Sequence, residues 1–424
     1  MLAVFPALLY GALKRPFIAV SLWLWVSMFN PSGWVHGGAA SHIRFNLIFS
    51  IIAIGSVFFN RSRPKTKNEM NMLTFLVSFF LFWTIITTMN TIGDPEIAWE
   101  YWWRFTKVVL LYYCAIFLLT KKLHIDFFIW ILIVSVGFFA FVESLKFILS
   151  IGKHHIRGMH DHILGDNNSL ALAIDMCIPL VIYTVGQTKV KFLRWTLSSL
   201  VFLMILCVIG TYSRGGLLGL IAIGIYFFNT SERKIGALFI IGFILFILSS
   251  FVTEQWTSRM DTIANAGQDS SFMGRVIAWK MSTLIAMDNP ITGGGFKALE
   301  DFPIWLKYTN QLDRLNMIET PPPDLSRAHA AHSIYFQALG DQGFVGLFLV
   351  VSILLTAYLK TSKLERKARE ITCDWLLSLS KMLKISIVVY ATAGAALSMV
   401  YFDLIFAIYA LVRVAELKTI ELLE

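Results

Sequence analysis

The chain has 424 residues, of which 57% are hydrophobic and 15% charged. Soluble domains carry roughly 25% charged residues, so this composition excludes an ordinary water-soluble enzyme, a disordered chain and a disulfide scaffold. A mean hydropathy of +0.67 points instead to a polytopic membrane protein.

The net charge of +9 would raise nucleic acid as a partner in a soluble protein. Here the basic residues lie mostly in short loops between apolar runs, as membrane orientation requires, and no nucleic-acid partner is implied. The four cysteines have no CxxC spacing, which gives neither a metal site nor a disulfide frame.

Taken in chain order, residues 2–12 read as a half-span or interfacial helix, interrupted by Lys14 and Arg15. No small-residue cleavage pattern follows, so no signal peptide is read there. Apolar segments then recur at 16–29, 44–60, 72–90, 104–120, 124–149, 168–186, 192–210, 212–228, 235–251, 334–359, 378–397 and 399–415. The segment 16–29 is short enough to pair with 2–12 as a broken element. Alternate loops are basic: Arg61, Arg63, Lys65 and Lys67; Lys121 and Lys122; Lys189, Lys191 and Arg194; Arg233 and Lys234; and Lys360 to Arg369. By the positive-inside rule these loops and both termini are cytoplasmic.

The expected architecture is all-α: about twelve transmembrane helices at roughly 20 residues each, with a periplasmic helical cap. Residues 1–251 hold about nine spans, 252–333 the cap, and 334–424 about three spans and a cytoplasmic tail. Within the cap, short helices are expected near 272–287 and 297–311, and Pro321, Pro322 and Pro323 form a stiff arm into the tenth span. No internal repeat is visible, which weighs against a transporter of inverted halves.

Residue clusters that could carry chemistry all map to the outer side. Arg157-Gly158 and Gly165-Asp166-Asn167-Asn168 stand at the mouth of the sixth span. They read as a turn and helix cap, or as donors aimed at a sugar or phosphate. Thr211-Tyr212-Ser213-Arg214-Gly215-Gly216 makes an outer hairpin with almost no loop. Its arginine is a snorkelling side chain or an anion clamp, since a guanidinium meets phosphate oxygens in a planar fork and keeps its charge. Gly274-Arg275-Val276-Ile277-Ala278-Trp279 opens an amphipathic helix that Asn289-Pro290 and Gly293-Gly294-Gly295 close. The glycine run lacks the Lys-Ser or Lys-Thr of a phosphate-binding loop.

His332-Ser333, then Asp341-Gln342-Gly343, lie where the cap enters the tenth span. A histidine there fills a polar gap, or serves as a general base with an ordinary pKa of about 6.5. His154, His155, His160 and His162 form a loose cluster without helical ligand spacing, so no metal site is assigned. Asp175 lies within a span towards the outer side and could orient one of the arginines.

In that order and spacing, these motifs resemble the O-antigen ligase and polymerase superfamily over roughly residues 150–360. Lys14-Arg15-Pro16-Phe17 through Asn30-Pro31 is also similar to the ligases found beside exosortase systems. Ser333 and Asp341 stand where the family usually has Asn and Glu. The resemblance implies glycan transfer at the outer face of the bacterial inner membrane. The donor would be a glycan on undecaprenyl pyrophosphate and, for a ligase, the acceptor would be lipid A–core, with membrane lipids around the site and no cofactor. On that footing Arg214 and Arg275 would clamp the pyrophosphate, with Arg157 as a third cation. His332 would take the acceptor proton, and Asn167, Asn168, Ser213, Ser333, Asp341 and Asp175 would support the site. Direct displacement would invert the anomeric carbon. A polymerase, a protein O-oligosaccharyltransferase and, outside the enzymes, a lipid-linked glycan transporter remain open.

Overall fold

The computed structural model describes residues 4–34, 43–59, 71–160, 162–231, 234–236, 242, 270–315 and 319–423. The expected span 235–251 and the start of the expected cap, 252–269, fall mostly outside these residues. So do Arg61 to Lys67, Asp161 and Arg233. The described residues form helices and no strands. In an apolar surrounding, a helix meets its backbone hydrogen-bonding needs internally.

The helices are α1 (Phe5–Lys14), α2 (Pro16–Phe29), α3 (Phe45–Phe59), α4 (Met72–Met89), α5 (Pro95–Leu118), α6 (Lys122–Leu149) and α7 (Asn167–Gln187). They continue with α8 (Lys191–Gly210), α9 (Arg214–Thr230), α10 (Ser270–Asp288), α11 (Phe302–Thr309), α12 (Ile334–Glu370), α13 (Asp374–Ala393) and α14 (Asp403–Leu423). Six of them, α4, α6, α7, α8, α12 and α13 (with the short turn after it), are long and apolar enough to cross a membrane. The helices α2, α3 and α9 are apolar but shorter. The chain is a multi-pass membrane protein on these grounds.

Several helix starts are set by their caps. Asn71 accepts from the Leu73 amide (2.9 Å) and Asp94 from the Glu96 amide (2.8 Å). Asp166 and Ser213 cap α7 and α9 in the same way. Helix α7 is the hub, packed against α6, α8, α9 and α13 and buried over most of its length. Helix α14 packs on α5 and α12. Far from the α12 start, the Glu416 carboxylate accepts from Lys360 (2.7 Å) and Arg413 (2.8 Å) and also pairs with Asn71, which ties α4, α12 and α14 together.

Residues of 270–315 and 319–331 build a second apolar cluster around Ile277, Met281, Leu284, Ile285, Trp305 and Tyr308. Its junction with the bundle is a backbone clasp. Helix α12 breaks at Gly343 (φ 70°, ψ −171°). The break leaves backbone groups without helical partners, and the Pro290–Gly295 loop supplies them. Gly294 N–H donates to Gly340 O (2.8 Å), Gly295 N–H to Asp341 O (2.9 Å), and Phe344 N–H to Pro290 O (3.0 Å). The two strands of backbone lie so close that a Cβ on Gly343 would stand 2.5 Å from Ile291 O, and one on Gly293 2.4 Å from Gly343 N. The glycine run read from the sequence is therefore a plug for a broken helix.

Gly343→Ala should lower the unfolding midpoint in detergent, since backbone strain of this kind costs about 1–3 kcal/mol before the clash is counted. Gly224→Ala, which meets open space, should leave it near wild type.

Candidate functional site

Three helix starts and one interhelical loop converge at one end of the bundle. The first start is that of α7. Asp166 accepts from the Asn168 amide (2.8 Å), the Ser169 amide (3.1 Å) and the Ser169 hydroxyl. The next two side chains reach across to the α8–α9 hairpin. Asn167 Nδ2 donates to Thr211 O (2.9 Å), and Asn168 Oδ1 accepts from the Ser213 hydroxyl (2.7 Å). Ser213 Oγ in turn accepts from Gly216 N–H (3.1 Å), capping α9.

The hairpin turns at Tyr212, a non-glycine residue at φ 54°. His155 stacks on the Tyr212 ring (4.9 Å between centroids, 11° between planes) and donates from Nε2 to Thr211 O (3.2 Å). The Tyr212 hydroxyl donates to Gly152 O (2.8 Å). Arg214 is thereby fixed as the first residue of α9, where the partial positive charge of a helix start adds to its own. Ile156 N–H donates to Gly210 O (2.9 Å), which sets exposed Arg157 beside the same hairpin.

The remaining pieces are α10 and the start of α12. Arg275 and Trp279 are four residues apart, on one face of α10. Trp279 Nε1 donates to Ala331 O (2.7 Å), and its ring stacks on Phe336 (5.0 Å, 8°). His332 follows at φ 46°, its N–H donating to Ser398 Oγ (2.7 Å) in the loop between α13 and α14. The same loop backs the hairpin, since a Cβ on Gly215 would lie 3.4 Å from Ala396 Cβ and 3.5 Å from Ala393 O.

Burial pushes the His332 imidazole below its ordinary pKa, and the Arg275 charge pushes it further the same way. Asp166 and Glu300 oppose the shift without reversing it. His332 therefore senses both the α10 arginine and the α7 cap. The shift favours the neutral form, the form that can accept a proton. The arrangement puts cationic guanidinium groups and a proton acceptor around one edge of the bundle.

Not every expected side chain joins this group. Ser333 is buried at the start of α12, and its carbonyl accepts from Gln337 N–H (2.8 Å). Asp341 is buried beside the glycine clasp and accepts from Tyr401 (3.2 Å), which itself accepts from Gln342 (2.9 Å). Its backbone carbonyl takes part in the clasp. Asp175 is fully buried, and its carboxylate has no hydrogen-bond partner among the described residues. It faces Gly219, where a Cβ would lie 2.2 Å from Oδ2. It orients neither arginine.

The histidines of the 152–166 loop diverge. His154 pairs with Glu143 (2.8 Å), and His162 donates to Ser27 O (2.8 Å) while accepting from Leu164 N–H (3.3 Å). Among the described residues no group of three His, Cys, Asp or Glu side chains comes together. Sequence reading took Asp166 only as part of a turn and helix cap, and missed the roles of Trp279 and Ser398. Asp166 and Trp279 stood within recognised motifs, whereas nothing in the spacing marked Ser398.

Residues 199–351 match the family model described as O-antigen ligase. This segment is an O-antigen ligase family domain, which supports a place in the O-antigen ligase superfamily. The chemistry of that family is glycan transfer of the ligase or polymerase type. Residues 1–189 match a family described as of unknown function. Among curated proteins no match is found. The O-antigen ligase segment carries Arg214, Arg275, Trp279 and His332. Asp166, Asn167 and Asn168 come from the preceding matched region, and Ser398 lies beyond both.

The pH dependence of His332 tests this neighbourhood. Removing the Arg275 charge lets the imidazole keep its proton to higher pH. Removing the Asp166 charge does the opposite. In Arg275→Gln the pH of half-maximal His332 modification by diethyl pyrocarbonate, read by mass spectrometry, should rise. In Asp166→Asn, which keeps a capping side chain, it should fall.

Proposed function

We propose that this protein is an O-antigen ligase that transfers a glycan from undecaprenyl pyrophosphate to lipid A–core. The observation that carries the reading is His332. It is a neutral-leaning imidazole that feels the Arg275 charge, inside a segment that matches the O-antigen ligase family.

The helix ends support a sidedness. Helices α7 and α12 start at the site and run to basic turns, with Lys189 and Lys191 after α7 and Lys367 and Arg369 ending α12. Helix α6 runs the other way, from Lys122. Basic loops face the cytoplasm, so the site faces the periplasm and the protein belongs to the inner membrane. By the same rule both termini are cytoplasmic, with about twelve spans in all and residues 270–331 forming part of a periplasmic cap.

In the reaction, an acceptor hydroxyl oxygen attacks the anomeric carbon as the bond from that carbon to the pyrophosphate oxygen breaks. The bonding electrons stay on the pyrophosphate. Arg214 and Arg275, with Arg157 nearby, stabilise the charge that collects there. The neutral His332 ring takes the hydroxyl proton. A single displacement inverts the anomeric carbon. The 270–331 segment keeps water, a competing nucleophile, from the reacting carbon. Polymerase chemistry differs only in the acceptor, a second carrier-linked glycan, and protein glycosylation would use a Ser, Thr or Tyr hydroxyl.

Purified protein given a lipid-linked glycan should label lipid A–core rather than a second lipid-linked glycan or a hydroxyl-bearing peptide. Labelling of either alternative in its place would reassign the acceptor. Arg214→Ala and Arg275→Ala should each lose on the order of 10²–10³ in rate. His332→Ala should lose roughly 10²–10⁴ while still binding donor. Chelation of divalent cations should leave transfer unchanged, and loss of activity restored by a divalent ion would point to a metal.

A further inference from the structure

We infer that Ser398 is a positioning residue for His332, acting through the peptide bond that precedes it. The inference rests on the reading of His332 as the base. Ala331 C=O and His332 N–H belong to one peptide unit, and both ends of that unit are gripped. The carbonyl accepts from Trp279 Nε1 (2.7 Å) and the N–H donates to Ser398 Oγ (2.7 Å). The two grips come from opposite sides, one from α10 and one from the α13–α14 loop. Together they fix the plane of the peptide and hold His332 at φ 46°, a conformation that side-chain-bearing residues otherwise leave. A flipped or relaxed peptide would carry the imidazole with it.

The platform under Ser398 is firm. Tyr390 donates its hydroxyl hydrogen to Met399 O (2.7 Å), and Val400 N–H donates to Gln337 Oε1 (3.1 Å). The two residues after Ser398 are thus tied to α13 and to α12. The hydroxyl is an acceptor on a rigid loop, which is what holding a strained turn requires. Ser398 touches neither the imidazole nor a reacting atom in this reading. It sets where the imidazole stands, and misplacement of a catalytic group by about 1 Å can cost on the order of 10²-fold in rate.

The test uses the full-length protein with Ser398→Ala and Ser398→Thr. Ser398→Ala should lower kcat by at least about tenfold with KM for the lipid-linked donor near wild type, because the arginines are untouched. Ser398→Thr, which keeps the hydroxyl, should restore most of kcat. In the same variants without substrate, the rate of His332 modification by diethyl pyrocarbonate should rise in Ser398→Ala and return in Ser398→Thr. An unchanged kcat in Ser398→Ala, a loss confined to KM, or equal loss in both variants would overturn the inference. Absence of transfer by the wild type with every acceptor would count against the functional reading alone. The modification rates would then decide the role of Ser398, and identical rates in wild type and Ser398→Ala would overturn it.

Discussion

Irregular backbone in an apolar protein survives only where another part of the chain meets its hydrogen-bonding needs. That constraint gathers the site. Helices α7, α9 and α12 start within reach of one another, and each start exposes backbone donors that need partners. Asp166 caps its own helix and Ser213 caps the next, while Asn168 holds Ser213. The turn before α12 is held from outside, by Trp279 and Ser398. Side chains able to bind an anion or take a proton stand on these starts because the chain turns there. The same turns concentrate polar groups that the bundle interior cannot hold.

The electrostatics of the site follow from which ends are brought together. Helix starts carry partial positive charge, and Arg214 adds a full charge to one of them. That combination favours an anionic ligand without needing a carboxylate-bound metal. A different arginine acts on His332, whose imidazole is pushed below its ordinary pKa by burial and by Arg275. Asp166 limits the effect. In the proposed transfer a base that were too weak would not take a hydroxyl proton, so Asp166 would temper the arginine proposed to stabilise the leaving group. The two requirements of the proposed transfer, anion stabilisation and proton acceptance, are balanced through one residue's surroundings.

Much of this was legible in the sequence, for reasons that mark the boundary of such reading. Eleven of the twelve apolar segments coincide with helices, because hydropathy over a span is a local property. Arg214 stood out since an arginine on the outer side runs against the positive-inside rule. Asn167 and Asn168 were readable as polar groups at a helix mouth, but their partners in the hairpin, Thr211 and Ser213, were not. The glycine run read as the close of the cap helix, and its further part in plugging the break at Gly343, with the Asp341 carbonyl, was not readable. A break inside a long apolar run leaves no mark in hydropathy. Asp175 was read by depth as able to orient an arginine, yet it faces Gly219, since depth along a helix does not fix the face. Ser398 is a serine in a short loop, and its importance exists only through a turn 66 residues away.

The site also crosses the boundaries of the matched regions. The O-antigen ligase segment supplies Arg214, Arg275 and His332. The helix start that secures the hairpin lies in the region of unknown function, and the loop that holds the histidine turn lies after both matches. The family segment therefore carries these three side chains but only part of the contacts that set their geometry. The grip on the Ala331–His332 peptide makes this concrete, since one of its two hydrogen bonds comes from within the segment and the other from outside. Removing the outer grip leaves a histidine of the right identity on a turn with reason to relax. Divergence between relatives in the α13–α14 loop would then alter catalysis while every residue of the family segment stayed the same.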